Sequence, residues 1–330
     1  MTTETPTLSL SDIHNARERI AGQAIVTPLM RSAFLDERTG GRIFLKCENL
    51  QRTGSFKFRG AYNALSAMGP EQRARGIVAV SSGNHAQGVA EAARLFGVPA
   101  TIFMPAEAPA IKVERVERSG AKVVPFDRNK DDRDALALAL CEKTGAVFVR
   151  PYDDPNVMAG QGTAGLESID QLKDEGLDAD VGLVCCGGGG LSAGVSTAWR
   201  SAFPSMDILV VEPDGFDDTV RSLALGERVG NVPGSSSLCD AILTEMPGVL
   251  TFPINLANGV SGVSVNDEEV LAAVAFAFKE LKMIVEPGGA VCLAALLAGK
   301  VDVKDKTVLA VLSGGNADPS MIARALDEAA

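Results

Sequence analysis

Short, continuously apolar runs recur along the chain, and each is followed by a stretch in which apolar residues repeat with a helical period. The runs IFLKCE (43–48), IVAVSS (77–82), TIFMP (101–105), KVVPF (122–126), VFVR (147–150), VGLVCC (181–186), ILVVEP (208–213) and VLAVLS (308–313) predict strands. Unbroken Val, Ile and Leu, rather than strict alternation, predicts parallel strands covered on both faces. Between them HAQGVAEAARLFG (85–97), DDRDALALALCEKTG (131–145) and DEEVLAAVAFAFKELK (267–282) predict helices, and Gly97, Gly120 and Gly145 stand where a helix should end before the next strand. Such alternation implies right-handed crossovers and an open α/β sheet. Four units between about residues 65 and 153 predict a smaller sheet of their own. The expected division is a large domain from 1–64 with 154–330, and a small mobile domain over 65–153.

Composition narrows the function classes. The length of 330 residues suggests about two domains, and 46% hydrophobic residues supply their cores. A net charge of -11 argues against a binder that tracks nucleic-acid phosphates. The start, MTTETPTLSLSDIHNARERIAG, has no basic segment followed by an apolar one, so no secretory signal is expected. Apolar runs such as LAAVAFAF (271–278) fall well short of the ~20 residues a bilayer requires. Six cysteines, at 47, 141, 185, 186, 239 and 292, lack zinc spacing or a disulfide framework, which suits reduced thiols in a cytoplasmic protein.

Ligands of open α/β sheets lie beyond the carboxyl ends of strands. Four polar clusters end strands here: SSGNH (81–85), GGGG (187–190), EPDGFDD (212–218) and SGGN (313–316). Apart from these, Lys57 stands between Phe56 and Phe58. Desolvation of a lysine favours its neutral, nucleophilic form, although an ordinary surface lysine fits the same local sequence. Gly187 to Gly190 precede a helix-period segment, and glycine amides at a helix start suit a phosphate. The spacing Gly188-x-Gly190-x-x-Ala193, with Glu212 ending the next strand, also fits a dinucleotide fingerprint, so a nicotinamide oxidoreductase competes. In SSGNH, Ser81, Ser82, Gly83, Asn84 and His85 suit a substrate carboxylate, with Ser81 or Asn84 as a plain helix cap the alternative. Glu212, Asp214, Asp217 and Asp218 form an acidic turn that either holds a hard cation or is simply solvated. Ser313 offers a hydroxyl to a ring nitrogen. His14 reads as helix surface, and neither histidine has a metal-ligand setting.

Taken in order, TPL (27–29), LKCENLQRTGSFKFRGAYNA (45–64), SSGNHAQGVA (81–90), AGQGT (159–163), GGGGL (187–191), EP (212–213), EPGGA (286–290) and SGGN (313–316) resemble the β-family (fold type II) of pyridoxal-phosphate enzymes. The resemblance is specifically to its serine/threonine dehydratase and serine racemase branch. It implies two open twisted sheets flanked by helices, of the tryptophan synthase β kind, with the cofactor between two domains of a homodimer. It further implies that Lys57 is the Schiff-base lysine, that Phe56 lies beside the cofactor, and that Asn84 meets the pyridine 3-oxygen. Gly187, Gly188, Gly189, Gly190 and Leu191 would cup the phosphate, and Ser313 would face the pyridine nitrogen. Ser81 and its neighbours would grip the substrate carboxylate. Glu212, Asp218 and the Phe216 carbonyl match the divalent-cation site of the racemase branch, for Mg²⁺ or else Ca²⁺ or Mn²⁺.

The implied reaction is removal of water and ammonia from a small β-hydroxy amino acid such as L-threonine or L-serine, leaving a keto acid. A serine at the ring nitrogen leaves that nitrogen largely unprotonated, which favours prompt loss of the β-hydroxyl. Ser82 stands where dehydratases of the family often have alanine and racemases have a serine that protonates the opposite face. A racemase and a 3-hydroxyaspartate dehydratase therefore stand as alternatives, beside a Ser82 that only binds carboxylate or caps a helix. CDAIL (239–243) replaces the A-D-G-I/V-like segment of relatives, which reshapes the expected substrate pocket. LDEAA (326–330) follows SGGN closely, so the regulatory domain of biosynthetic threonine deaminases, and feedback by isoleucine, are not expected.

Overall fold

The computed structural model describes residues 8–128 and 130–328. The first seven residues, part of the segment read for a leader, and the last two of LDEAA lie outside the described residues. The strands are β1 (Leu29–Arg31), β2 (Arg42–Cys47), β3 (Ile77–Val80), β4 (Ala100–Pro105), β5 (Lys122–Phe126), β6 (Val147–Phe148), β7 (Val181–Cys185), β8 (Asp207–Pro213), β9 (Ser261–Val265) and β10 (Thr307–Leu312). The helices that build the site are α1 (Lys57–Ala67), α2 (Asn84–Phe96), α3 (Ala110–Arg118), α4 (Pro155–Asp174), α5 (Gly190–Ala202), α6 (Asp218–Leu225), α7 (Thr251–Ala257) and α8 (Pro287–Leu297).

Two sheets result, as the α/β pattern requires. The larger has the order β1-β2-β10-β7-β8-β9, and the smaller β5-β4-β3-β6. All pairs are parallel except β1 with β2. Burial explains the pattern: every residue of β3, β7 and β10 is buried, because helices cover both faces of these inner strands. Gly97 and Gly145 cap their helices at φ +66° and +74° in the left-handed region, where a side chain would be strained. Two strands escape the apolar pattern: β1 is three residues long, and β9 (SGVSV) alternates serine and glycine with valine at the sheet edge.

The AGQGT motif is a packing device. Cβ atoms on Gly160 and Gly162 would stand 2.5 Å from the Arg59 carbonyl and 2.8 Å from that of Gly194. Only glycine lets α4 lie this close to both α1 and α5. The helices that start at Lys57 and at the glycine loop are thereby held against one spine. Within the larger sheet β10 lies between β2 and β7, so the segments after all three strands open on one crevice, facing the loop after β3.

Candidate active site

That crevice is a cavity of about 990 Å³. Its walls include Phe56, Lys57, Ser81, Ser82, Gly83, Asn84, His85, the four glycines Gly187 to Gly190, and Leu191. Residues scattered over more than 130 positions of sequence thus converge on one space. Ser313 is buried behind the wall: its carbonyl accepts from the Phe56 amide at 3.1 Å, and its side chain is hydrogen-bonded with the Cys185 thiol.

Lys57 opens α1 and faces the cavity, with Nζ 5.1 Å from the centre of the Phe56 ring. Its amine donates to the Pro151 carbonyl at 2.8 Å, and among the described residues no carboxylate pairs with it. Burial of the amine end lowers its pKa to about 8, against a small opposite effect of Cys185. Phe58, by contrast, is fully buried in the core under the smaller sheet. The two aromatic neighbours therefore divide the work, one facing the cavity and one anchoring the helix.

At the end of β3 the cap of α2 is Gly83, and no side chain caps the helix. The expected alternative of Ser81 or Asn84 as N-cap, and of Ser82 as a mere cap, is thus corrected. Ser81 Oγ accepts from the Gly83 amide at 3.1 Å, folding the turn back on itself. The ring of His85 meets the Val149 carbonyl through Nε2 at 2.9 Å. A carbonyl only accepts, so Nε2 carries the proton and Nδ1, buried without a partner among the described residues, is left an acceptor. Burial, and then the charge of Lys57, push the His85 pKa down to about 3.

The glycine loop joins β7 to α5, whose first amides have no partner within the helix. Gly189 takes φ +86°, and a Cβ at Gly188 would strike the Tyr152 ring. The loop is shaped by a segment that sequence reasoning missed, PYDD (151–154). Besides the Pro151 carbonyl and the Tyr152 ring, it supplies Asp153 at φ +52°. The Asp153 carboxylate accepts from the amides of Val249 at 2.7 Å and Leu250 at 2.8 Å. Thr251, beside them, donates its hydroxyl to the Gly188 carbonyl at 2.6 Å. The available signal was a proline-led polar break between VFVR and a helix.

Glu212 ends β8, as the apolar run predicts, and Asp218 begins α6 across the turn between them. Asp214 is exposed, and Asp217 pairs with Arg221 at 2.9 Å, so neither joins them. Glu212 and Asp218 are 0% and 1% exposed, and among the described residues Glu212 Oε1 and both Asp218 oxygens lack a donor at ordinary hydrogen-bond geometry. Burial raises both carboxyls, that of Asp218 to about 7. Glu212 lies apart from the cavity wall, with Oε2 bound to the Val220 amide at 2.9 Å, so it is not offered to a ribose. The dinucleotide reading loses its acid. Among the described residues no group of three or more His, Cys, Asp or Glu forms a metal cage, and no helix is long and apolar enough to cross a membrane.

Comparison with known proteins gives the family. The family described as pyridoxal-phosphate dependent enzyme matches residues 20–314. An L-threonine ammonia-lyase of Thermotoga maritima is 44% identical over 321 residues, which cover 97% of this chain and 79% of that protein. An L-threo-3-hydroxyaspartate ammonia-lyase of a Pseudomonas species is 44% identical over 311 residues, covering 94% of this chain and 96% of the relative. Among solved structures, maize serine racemase superposes with a TM-score of 0.91 at 34% identity, covering 98% of both chains.

Proposed function

This chain belongs to the pyridoxal-phosphate dependent enzymes, in the serine/threonine dehydratase and serine racemase branch, and on that premise we propose that it removes water and ammonia from a small β-hydroxy amino acid. The observation that carries this reading is the buried amine of Lys57, set in one cavity with a glycine cup and the SSGNH turn.

The residues fit the cofactor. A cup in which side chains at Gly188 and Gly190 would meet Tyr152, followed by the first amides of α5, suits a phosphate. When bound, pyridoxal phosphate supplies an aldehyde that condenses with an amine and a ring that draws electrons from the adjacent carbon. Gly187 to Gly190 would hold its phosphate, Phe56 its ring face, Asn84 the 3-oxygen and Ser313 the ring nitrogen. Lys57 would anchor the aldehyde and, released by the substrate amine, take the proton at the substrate Cα, a transfer favoured by a pKa near the working pH. The SSGNH turn would hold the substrate carboxylate, and His85, kept neutral, would add no competing charge. The test is release of keto acid and ammonia across L-threonine, L-serine and the 3-hydroxyaspartate stereoisomers. Activity on none of them would overturn the assignment.

A dicarboxylic substrate is the second reading: of the basic side chains in the cavity wall, Lys112, Arg128 and Arg133 pair with Asp240, Glu107 and Asp134, which leaves Arg115 as the candidate for a second carboxylate. The same assay ranks it, and a preference for threonine over 3-hydroxyaspartate would sink this second reading. Ser82 lines the cavity and caps nothing, which supports a role in proton return from the opposite face. We expect Ser82→Ala to lower D-serine formation by about 10²-fold while keto-acid release persists. Unchanged D-serine formation would remove Ser82 from that role.

The paired Glu212 and Asp218, buried with three unpartnered oxygens, fit a hard divalent cation completed by the Phe216 carbonyl and water. Burial raises both carboxyls despite the Val220 amide on Glu212 and the Arg221 charge near Asp218, so a cation that favours their ionised forms and binds only the folded state stabilises it. At 100-fold excess over its dissociation constant, Mg²⁺ should add about 2.7 kcal/mol, a rise of several degrees in Tm. Asp218→Asn should abolish that response. A Tm indifferent to both Mg²⁺ and EDTA would remove the site.

A further inference from the structure

The EPGGA run (286–290) has so far no part in the chemistry, yet its glutamate lies in the cavity wall. Glu286 is the N-cap residue of α8, at φ -74° and ψ 157°, but its side chain makes no capping bond to its own helix. It reaches across to the first residue of α2, where Asn84 Nδ2 donates to Glu286 Oε1 at 2.6 Å. Room for the carboxylate comes from the neighbouring SGGN turn: a Cβ at Gly314 would collide with Glu286 Oε1. The two motifs are also joined through the backbone, since the Glu286 amide donates to the Gly314 carbonyl at 3.0 Å.

The orientation of the Asn84 amide follows from a short chain of donors and acceptors. The Thr53 carbonyl can only accept, so the group 2.8 Å from it must be the nitrogen of Asn316. That nitrogen gives its other hydrogen to Asn84 Oδ1 at 2.7 Å. With its oxygen so engaged, Asn84 turns its nitrogen to Glu286, which must accept. One hydrogen of Asn84 Nδ2 goes to the carboxylate and one remains for an acceptor in the cavity. We infer that Glu286 is a positioning residue: as a carboxylate it holds the Asn84 amide by a charge-assisted bond and so presents the second hydrogen to the 3-oxygen of bound pyridoxal phosphate. The inference rests on the cofactor reading above.

The grip then follows the ionisation of Glu286. Burial raises its pKa to about 7, opposed by the Asn84 bond. The charges facing it are Asp240, which raises the pKa, and Lys112 of α3, which lowers it; these two pair with each other at 2.9 Å. The Cys185 thiol at the end of β7 also faces it, and is itself pushed up to about 11 chiefly by burial. Charge-assisted bonds are roughly twice as strong as neutral ones, so protonation loosens Asn84 without breaking the fold.

The experiment titrates the holoenzyme from acid to alkaline pH without substrate and follows the ratio of the cofactor's long- and short-wavelength absorbance bands. The wild-type ratio should change with a midpoint near the pKa of about 7. Glu286→Gln, which keeps an acceptor of the same reach, should take up the cofactor and show one ratio throughout. Glu286→Ala should also lose the transition and bind the cofactor roughly tenfold more weakly, as for one lost hydrogen bond. Cofactor-free protein gives a second readout. A carboxyl whose pKa is raised by folding stabilises fully below its unfolded pKa, and that contribution is lost as pH rises through the folded value. The Tm of wild type should therefore fall relative to Glu286→Gln as pH rises through about 7. A transition absent from wild type, or retained with the same midpoint in either variant, overturns the inference. Wild type that binds no pyridoxal phosphate overturns the cofactor reading and this inference with it.

Discussion

Lys57→Ala is expected to lose turnover by about 10⁴-fold or more, since one substitution removes both the nucleophile and the base. No neighbour can replace it. Burial makes the His85 ring a weak base, its pKa pushed down to about 3, and holds the Cys185 thiol at about 11. The variant should also fail to develop the cofactor's visible band of a lysine-bound aldehyde. Lys57→Met, which keeps the aliphatic stem, separates catalysis from folding. Folding lowers the pKa of the amine from 10.5 to about 8, so the unfolded chain binds more protons between these values. Its contribution to stability is then present only above about 10.5 and is lost as pH falls through about 8. Cofactor-free Lys57→Met should melt above wild type at pH 7, with the difference shrinking as the solution becomes alkaline. Retained turnover in Lys57→Ala, measured as keto-acid release, would end the proposal.

The largest loss of stability is expected at Arg59, two residues along α1. Its guanidinium is fully buried and bonds Glu48 at 2.7 and 2.8 Å and Glu167 at 2.7 and 2.7 Å. Lys46, also fully buried, adds a bond to Glu167 at 2.7 Å. Two positive and two negative groups thus balance within the protein. Burial alone would raise the Glu48 carboxyl, but Arg59 holds it below the usual range. Arg59→Ala leaves a buried carboxylate with the Thr27 hydroxyl as its remaining partner, which should cost about 3–5 kcal/mol. For a chain this long that is a fall of roughly 5–15 °C in Tm, read by thermal melting. Arg59→Lys should recover little, because an ammonium cannot bridge two carboxylates with a planar fork. Adding Glu48→Gln to Arg59→Ala should restore part of the loss by removing the stranded charge. A shift below about 0.5 kcal/mol, the level of an ordinary surface change, would mean that the network is not structural support.

This network shows where legibility along the chain ends. Lys46 and Glu167 are 121 residues apart, and neither sits in a pattern that predicts the other. Eight of the ten strands announce themselves as apolar runs, because helices cover both faces of the inner strands. β9 does not, since an edge strand has one ladder to satisfy and tolerates serine and glycine. Lys57, SSGNH, the tetraglycine and SGGN are legible because each joins special backbone chemistry to a strand end. Pro151, Tyr152 and Asp153 are not, because what they do is set by contacts with Lys57, Gly188 and Val249, all distant in sequence.

By itself the sequence determined the α/β alternation, the family, the lysine and the glycine cup, since helical period, apolar runs and turn residues act on neighbours along the chain. Tertiary structure alone decided the neutral tendency of Lys57, the place of Glu212 and Asp218 away from the cavity wall, and the line from Thr53 through Asn316 and Asn84 to Glu286. The reason is physical: a pKa or the direction of an amide depends on which groups surround it and how much water is excluded, and those are fixed only when remote segments pack.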